Sequence, residues 1–132
     1  MKTNWKLFFE TIEKPAFSPP AWIFGVVWPI LYLLMGFSLY LILTSGAEKE
    51  KIKEALRVFA YQLIVNLLWP TLFFRFQWFF VSFLWILLLI FLVIEMLRKF
   101  YDIRKLAAYV NIPYLAWLFY AAWLNLAVWW LN

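Results

Sequence analysis

Charged residues interrupt this chain in only a few places, and the apolar runs between them set its elements. From Ala21 to Leu43 no charge occurs. A helix needs about 20 apolar residues to cross a bilayer, so the run predicts a spanning helix over about 21–44, with a kink at Pro29 and an end near Ser45-Gly46. Val58 to Phe74 is a second run, containing Gln62, Asn66 and Pro70, and Arg75 marks a tight turn after it. It predicts a helix over about 56–75. Phe76 to Ile94 is almost wholly Phe, Leu, Ile, Val and Trp, which predicts a helix over about 76–97 and makes it the expected most lipid-facing element. The last run starts at Leu106, holds Asn111, Pro113 and Asn125, and predicts a helix over about 106–131.

The connections are polar. Met1 to Lys14 mixes Lys2, Lys6, Glu10, Glu13 and Lys14 with Trp5, Leu7, Phe8, Phe9 and Ile12, a pattern too polar and too short to span and suited to an interfacial amphipathic turn or short helix. Pro15, Pro19 and Pro20 then remove backbone donors and make a rigid loop, ending where a helix can start with proline in its first turn. Glu48 to Arg57 reads as a charged loop or helix extension, and Glu95 to Lys105 as a second charged loop.

Composition turns this pattern into a solvent argument. Hydrophobic residues make up 67% of the chain and charged residues 14%, against about 45–50% and 25% in soluble domains. A small domain cannot hide that much apolar surface from water. The expected fold is therefore all-α: an integral membrane helical bundle, one domain over 1–132, with four transmembrane helices. Eight basic residues lie in the two charged connections (Lys49, Lys51, Lys53, Arg57; Arg98, Lys99, Arg104, Lys105) and four on the opposite side (Lys2, Lys6, Lys14, Arg75). The positive-inside rule then puts the charged loops inside and both termini outside. The net charge of +5 suits lipid headgroups, and nucleic acid is not an expected partner.

The chain has no Cys and no His, so thiol nucleophiles, the usual zinc sites and the commonest general base are excluded, and no metal site is expected. The uncharged runs carry no charged catalytic group, with Glu95 at the inner end of the third helix the exception, which removes ion pumps and membrane hydrolases that need buried charge at midplane. Aromatic residues reach 24%, more than interfacial belts require. Trp28 and Tyr32 are four apart on the first helix, Asn66 and Trp69 three apart on the second, and Tyr114 and Trp117 three apart on the last, where the row continues through Ala121 to Asn125. Such spacings put each set on one face. Two readings follow. The amides lock helices together by interhelical hydrogen bonds, or the aromatic faces line a pocket for a flat hydrophobic ligand.

The same residues resemble a known family. Lys14-Pro15-Ala16-Phe17-Ser18-Pro19-Pro20, followed by Phe24, Trp28 and Tyr32, is similar to the K-P-x-W-x-P-P-x-x-x-F-x-x-x-W-x-x-x-Y signature of the TspO/MBR family. These are the tryptophan-rich sensory proteins related to the mitochondrial translocator protein. Asn66-Leu67-Leu68-Trp69-Pro70 with Phe73-Phe74 resembles its N-x-x-W-P-x-x-F-F motif, and Pro113-Tyr114-Leu115-Ala116-Trp117 with Leu124-Asn125 its final-helix P-Y-L-x-W…L-N. The resemblance implies a bundle, commonly a homodimer, that binds porphyrins such as protoporphyrin IX beneath the proline-rich loop and requires no cofactor. It also implies a ligand site of Phe17, Pro19, Pro20, Phe24, Trp28, Tyr32, Asn66, Trp69, Tyr114, Trp117, Ala121 and Asn125, in which indole N–H groups and amides orient the ligand's polar edge. Some bacterial members degrade the porphyrin in light, and Trp28 and Trp117 would be the electron donors or radical partners in that activity. The implied setting is the bacterial cytoplasmic membrane.

The pattern departs from the family in places. Its first helix precedes the proline-rich loop, whereas fewer than 15 residues precede Pro15. The expectation is a four-helix member, a shortened chain, or a wall supplied by a partner subunit. Phe17 stands where the signature has Trp. Leu124 to Asn132 lacks the Tyr and basic residue of the animal cholesterol motif, so that recognition is not expected. The other functions consistent with the pattern are a small transporter of tetrapyrroles or lipids and a non-binding structural or regulatory membrane subunit.

Overall fold

In the computed structural model, residues 21–131 are described. The expected interfacial segment and proline-rich loop lie outside them, including Phe17, Pro19 and Pro20, as does the side chain of Phe24. The described chain is helical: α1 (Ala21–Leu43), α2 (Lys49–Pro70), α3 (Phe79–Ile103), the short α4 (Lys105–Tyr109) and α5 (Ile112–Leu131). Among the described residues, four stretches are long and apolar enough to cross a membrane: Gly25–Leu43, Lys49–Arg75, Phe79–Ile103 and Lys105–Leu131.

Local chemistry sets the boundaries. α1 runs unbroken through Pro29 and stops before Gly46, which takes φ +76°, a left-handed conformation that costs a residue without Cβ little. The charged segment from Glu48 is helical from Lys49 onward, with Arg57 donating to Glu54 at 3.2 Å one turn away. Such i,i+3 pairs support a helix in water. For the same reason the charged loop expected from Glu95 is helix as far as Ile103, and Arg98 pairs with Glu95 at 3.0 Å. Extended backbone at Arg104 (φ −156°, ψ 117°) ends α3.

Prolines shape the other ends. Pro70 has no N–H to give the Asn66 carbonyl, and after it the chain widens over Thr71–Arg75, where the Phe76 amide bonds back to the Thr71 carbonyl at 3.1 Å. The turn closes through Gln77 at φ 54°, and α3 begins at Phe79 rather than Phe76. Pro113 likewise cannot bond the Tyr109 carbonyl. The final span divides there into α4 and α5, with the Asn111 amide bonding Ala108 one residue short of α-helical register, at 3.0 Å.

The third helix is not the most lipid-facing. α3 packs against α2, α4 and α5 and buries Ser82, Ile86, Leu89, Ile90, Val93, Met96, Leu97 and Phe100. Lipid and protein core are both apolar, so a helix hydrophobic on all sides shows no face in its sequence, and packing selects the i, i+3, i+4, i+7 stripe. α1 lies against α4 and sends Leu31, Met35, Leu41 and Ile42 into the core.

Candidate functional site

Two hydrogen-bonded groups tie the helices together at the positions where amides interrupt the apolar runs. In the first, the Tyr32 hydroxyl of α1 donates to Asn66 Oδ1 of α2 at 2.5 Å, and Asn66 Nδ2 donates to the Tyr114 hydroxyl of α5 at 2.8 Å. Tyr114 passes its proton donor to Gln62 Oε1 at 2.7 Å, and Gln62 Nε2 ends the chain on Met35 Sδ at 3.8 Å. Asn66, Gln62 and Tyr114 are buried. Each donor in this chain points the same way, so the Tyr32 oxygen keeps its acceptor capacity.

In the second group, Asn125 Oδ1 of α5 accepts from Trp69 Nε1 at 3.1 Å and Ser82 Oγ at 3.0 Å. Its Nδ2 donates to the Phe79 carbonyl at 2.7 Å, occupying a backbone acceptor beside the turn that starts α3. Trp69 also stacks on Phe73 at 4.9 Å between ring centroids, and Phe73 meets Phe79 at 5.2 Å. Ala121 is buried on α5 one turn before Asn125, and its small side chain fits the close packing there.

Aromatic faces converge beside the first group. Trp28 meets Tyr32 at 6.1 Å in a tilted arrangement and Trp117 at 6.4 Å edge to face, geometries that ring quadrupoles favour. All three are half-buried. From Trp117 the row runs along α5 through Tyr120 at 5.5 Å to Trp123 a further 5.9 Å on.

Trp28, Tyr32, Asn66, Tyr114 and Trp117 thus form one connected cluster across α1, α2 and α5, while Trp69, Ala121 and Asn125 belong to the neighbouring α2–α3–α5 contact. Both amides expected to meet a ligand's polar edge, Asn66 and Asn125, are paired with protein groups, as is the indole N–H of Trp69. Asn111 is buried outside both groups, with Nδ2 on the Ala107 carbonyl at 3.1 Å.

Gln62, Ser82 and Trp85 were not singled out by the sequence pattern. Gln62 lies four residues before Asn66 on the same face, and Ser82 is the one hydroxyl residue between Phe79 and Ile94; both signals are legible. Trp85 donates Nε1 to the Val65 carbonyl at 2.8 Å, and nothing in its apolar surroundings marks it.

Against known proteins, the model of the TspO/MBR family matches residues 1–131. The chain belongs to the TspO/MBR family. Among its relatives, the tryptophan-rich protein TspO of Chlorobaculum tepidum is 37% identical over 126 residues, covering 95% of this chain and 79% of that protein. The human translocator protein is 34% identical over 126 residues, covering 92% and 73%. A tryptophan-rich sensory protein of Cereibacter sphaeroides is 28% identical over 118 residues, covering 89% and 72%. Family membership and four membrane-length helices together make this TspO/MBR member an integral membrane protein.

Proposed function

We propose that this protein binds a porphyrin of the protoporphyrin IX type, or a similarly flat hydrophobic molecule, against the faces of Trp28, Tyr32 and Trp117. The observation that carries this reading is the division of labour in the cluster. Asn66, Gln62 and Tyr114 spend their polar groups on protein partners, whereas three adjoining rings are only half-buried. Such a surface recognises shape and apolar area, and the polar feature it adds is the acceptor lone pair of Tyr32. Asn66, Trp69, Tyr114 and Asn125 act as the frame that holds α1, α2, α3 and α5 at the spacing the ligand needs, and small Ala121 keeps α5 close to that frame. The names of relatives, translocator protein and tryptophan-rich sensory protein, are consistent with a small ligand as the signal or cargo.

Titration of protoporphyrin IX into the detergent-purified protein tests the reading. Tryptophan emission is expected to quench to a plateau at a fixed porphyrin-to-protein ratio. Emission that instead falls in proportion to added porphyrin without a plateau, as partition into micelles gives, would contradict it.

A further inference from the structure

The hydrogen-bond chain beside the aromatic rings has a direction, and one buried residue sets it. A tyrosine hydroxyl or a primary amide both donates and accepts, so Tyr32, Asn66, Tyr114 and Gln62 can be linked in either sense. Met35 has no such freedom, because a thioether sulfur offers lone pairs and no hydrogen. Gln62 therefore turns Nε2, not Oε1, toward Met35 Sδ at 3.8 Å. The opposite rotamer would set two acceptors against each other where both side chains are buried and no water can intervene.

The other links follow in order. Gln62 Oε1 is left facing Tyr114, so that hydroxyl donates to it at 2.7 Å. With its single proton spent, the Tyr114 oxygen accepts from Asn66 Nδ2 at 2.8 Å. Asn66 Oδ1 is then the atom that meets Tyr32, and it receives the Tyr32 proton. Met35, Gln62, Tyr114 and Asn66 are buried. Tyr32 is the half-buried end of the chain and adjoins Trp28. In the reverse sense Tyr32 would accept from Asn66 and keep its own proton for an outside partner, at the loss of the Gln62–Met35 contact.

We propose that Met35 and Gln62 are positioning residues for ligand choice: they hold Tyr32 as a hydrogen-bond acceptor, so the site takes flat molecules that carry an O–H or N–H donor at the edge. The inference rests on binding against Trp28, Tyr32 and Trp117 as proposed above. On a porphyrin edge, a hydroxyl or a protonated carboxylic acid qualifies. A carboxylate, ester or ketone sets its lone pairs against those of Tyr32, and both groups then stay unpaired in an apolar setting. Neither Met35 nor Gln62 touches the ligand; each acts through the chain.

Two porphyrins of nearly equal size separate donor from acceptor: haematoporphyrin dimethyl ester, which carries hydroxyethyl groups, and diacetyldeuteroporphyrin dimethyl ester, which carries acetyl groups in their place. Their dissociation constants for the detergent-purified full chain, read from quenching of tryptophan emission, give a selectivity ratio. The ratio favouring the hydroxyethyl porphyrin is expected to be about fivefold higher in the wild-type protein than in Tyr32→Phe, which keeps the ring and removes the acceptor. Partition into detergent is common to both proteins and cancels. Gln62→Leu lets Tyr114 donate to Asn66 instead, which turns Tyr32 into a donor. Hydroxyl and ketone both accept, so the ratio is expected to fall to that of Tyr32→Phe although Tyr32 is untouched. Met35→Leu, a swap of similar volume, removes the sulfur that orients Gln62 and is expected to lower the ratio; it carries the test if circular dichroism shows that Gln62→Leu does not fold. The same ratio in wild type and Tyr32→Phe, or a wild-type ratio retained by Met35→Leu, would overturn this inference and leave porphyrin binding standing. Quenching by both porphyrins without a plateau would overturn the two together.

Discussion

Asn66 Nδ2 lies 2.8 Å from the hydroxyl of Tyr114, joining α2 to α5 across 48 residues of sequence with both side chains buried. Each partner is already engaged on its other side, Asn66 by Tyr32 and Tyr114 by Gln62. Removing either leaves donors or acceptors stranded among apolar groups, where no water can replace them.

Asn66→Leu is therefore expected to destabilise the protein by about 2 kcal/mol and Tyr114→Phe by about 1 kcal/mol. The double variant should cost less than the sum, with a coupling of roughly 0.6–1.7 kcal/mol as for interhelical hydrogen bonds in membranes. Thermal or denaturant unfolding in detergent provides the cycle; strict additivity would show that the two groups do not act together.

The second group predicts an asymmetry between its members. Asn125→Leu removes the acceptor of Trp69 and Ser82 and the donor to Phe79 at once, and is expected to cost about 2–3 kcal/mol. Ser82→Ala leaves the Trp69–Asn125 and Asn125–Phe79 bonds intact and should cost only about 0.5 kcal/mol. Equal losses of melting temperature in the two variants would disprove this ranking.

Gln77 carries its strain in the backbone, at φ 54° in the turn between the second and third spans. Gln77→Gly should raise stability by about 0.5–1 kcal/mol, because glycine enters this region without a Cβ clash, and Gln77→Val should lower it. Paired melting curves of the two variants decide the sign.

Because the chain has no Cys, single-cysteine variants can report its orientation. In right-side-out spheroplasts, Phe76→Cys should react with an impermeant maleimide and Ser45→Cys should not, as expected if the basic connections face inward. Labelling of Ser45→Cys alone would reverse the assigned sides.

Among the described residues, the number and order of the spans were legible because lipid imposes a length on uncharged runs, and the runs from Ala21, Val58, Phe76 and Leu106 each meet it. Helix ends were less legible. The acid–base alternation around Glu54 and Arg57, and again Glu95 and Arg98, suits both solvated loop and solvated helix, and the structure extends α2 and α3 through it. The burial of α3 was invisible, since Ile86 facing protein and Leu87 facing lipid are the same chemistry. At the candidate site, spacing placed Trp28 with Tyr32 and Tyr114 with Trp117 on common faces. What spacing could not show was which partners the amides take: Asn66 and Asn125 bond protein groups, while Trp28, Tyr32 and Trp117 stay half-buried.

The rings of Trp28 and Trp117 are the proposed contact for a flat ligand. Its most direct test is the equilibrium affinity for protoporphyrin IX, read from the porphyrin absorption band, in the wild-type protein, in Trp28→Ala, Trp117→Ala, and in Trp130→Ala, whose ring is 79% exposed on the bundle's outside. Loss of the two cluster indoles should weaken binding by about tenfold per ring, while the Trp130 variant should match wild type. Affinity unchanged in the double variant, or lowered equally by Trp130→Ala, would contradict the account.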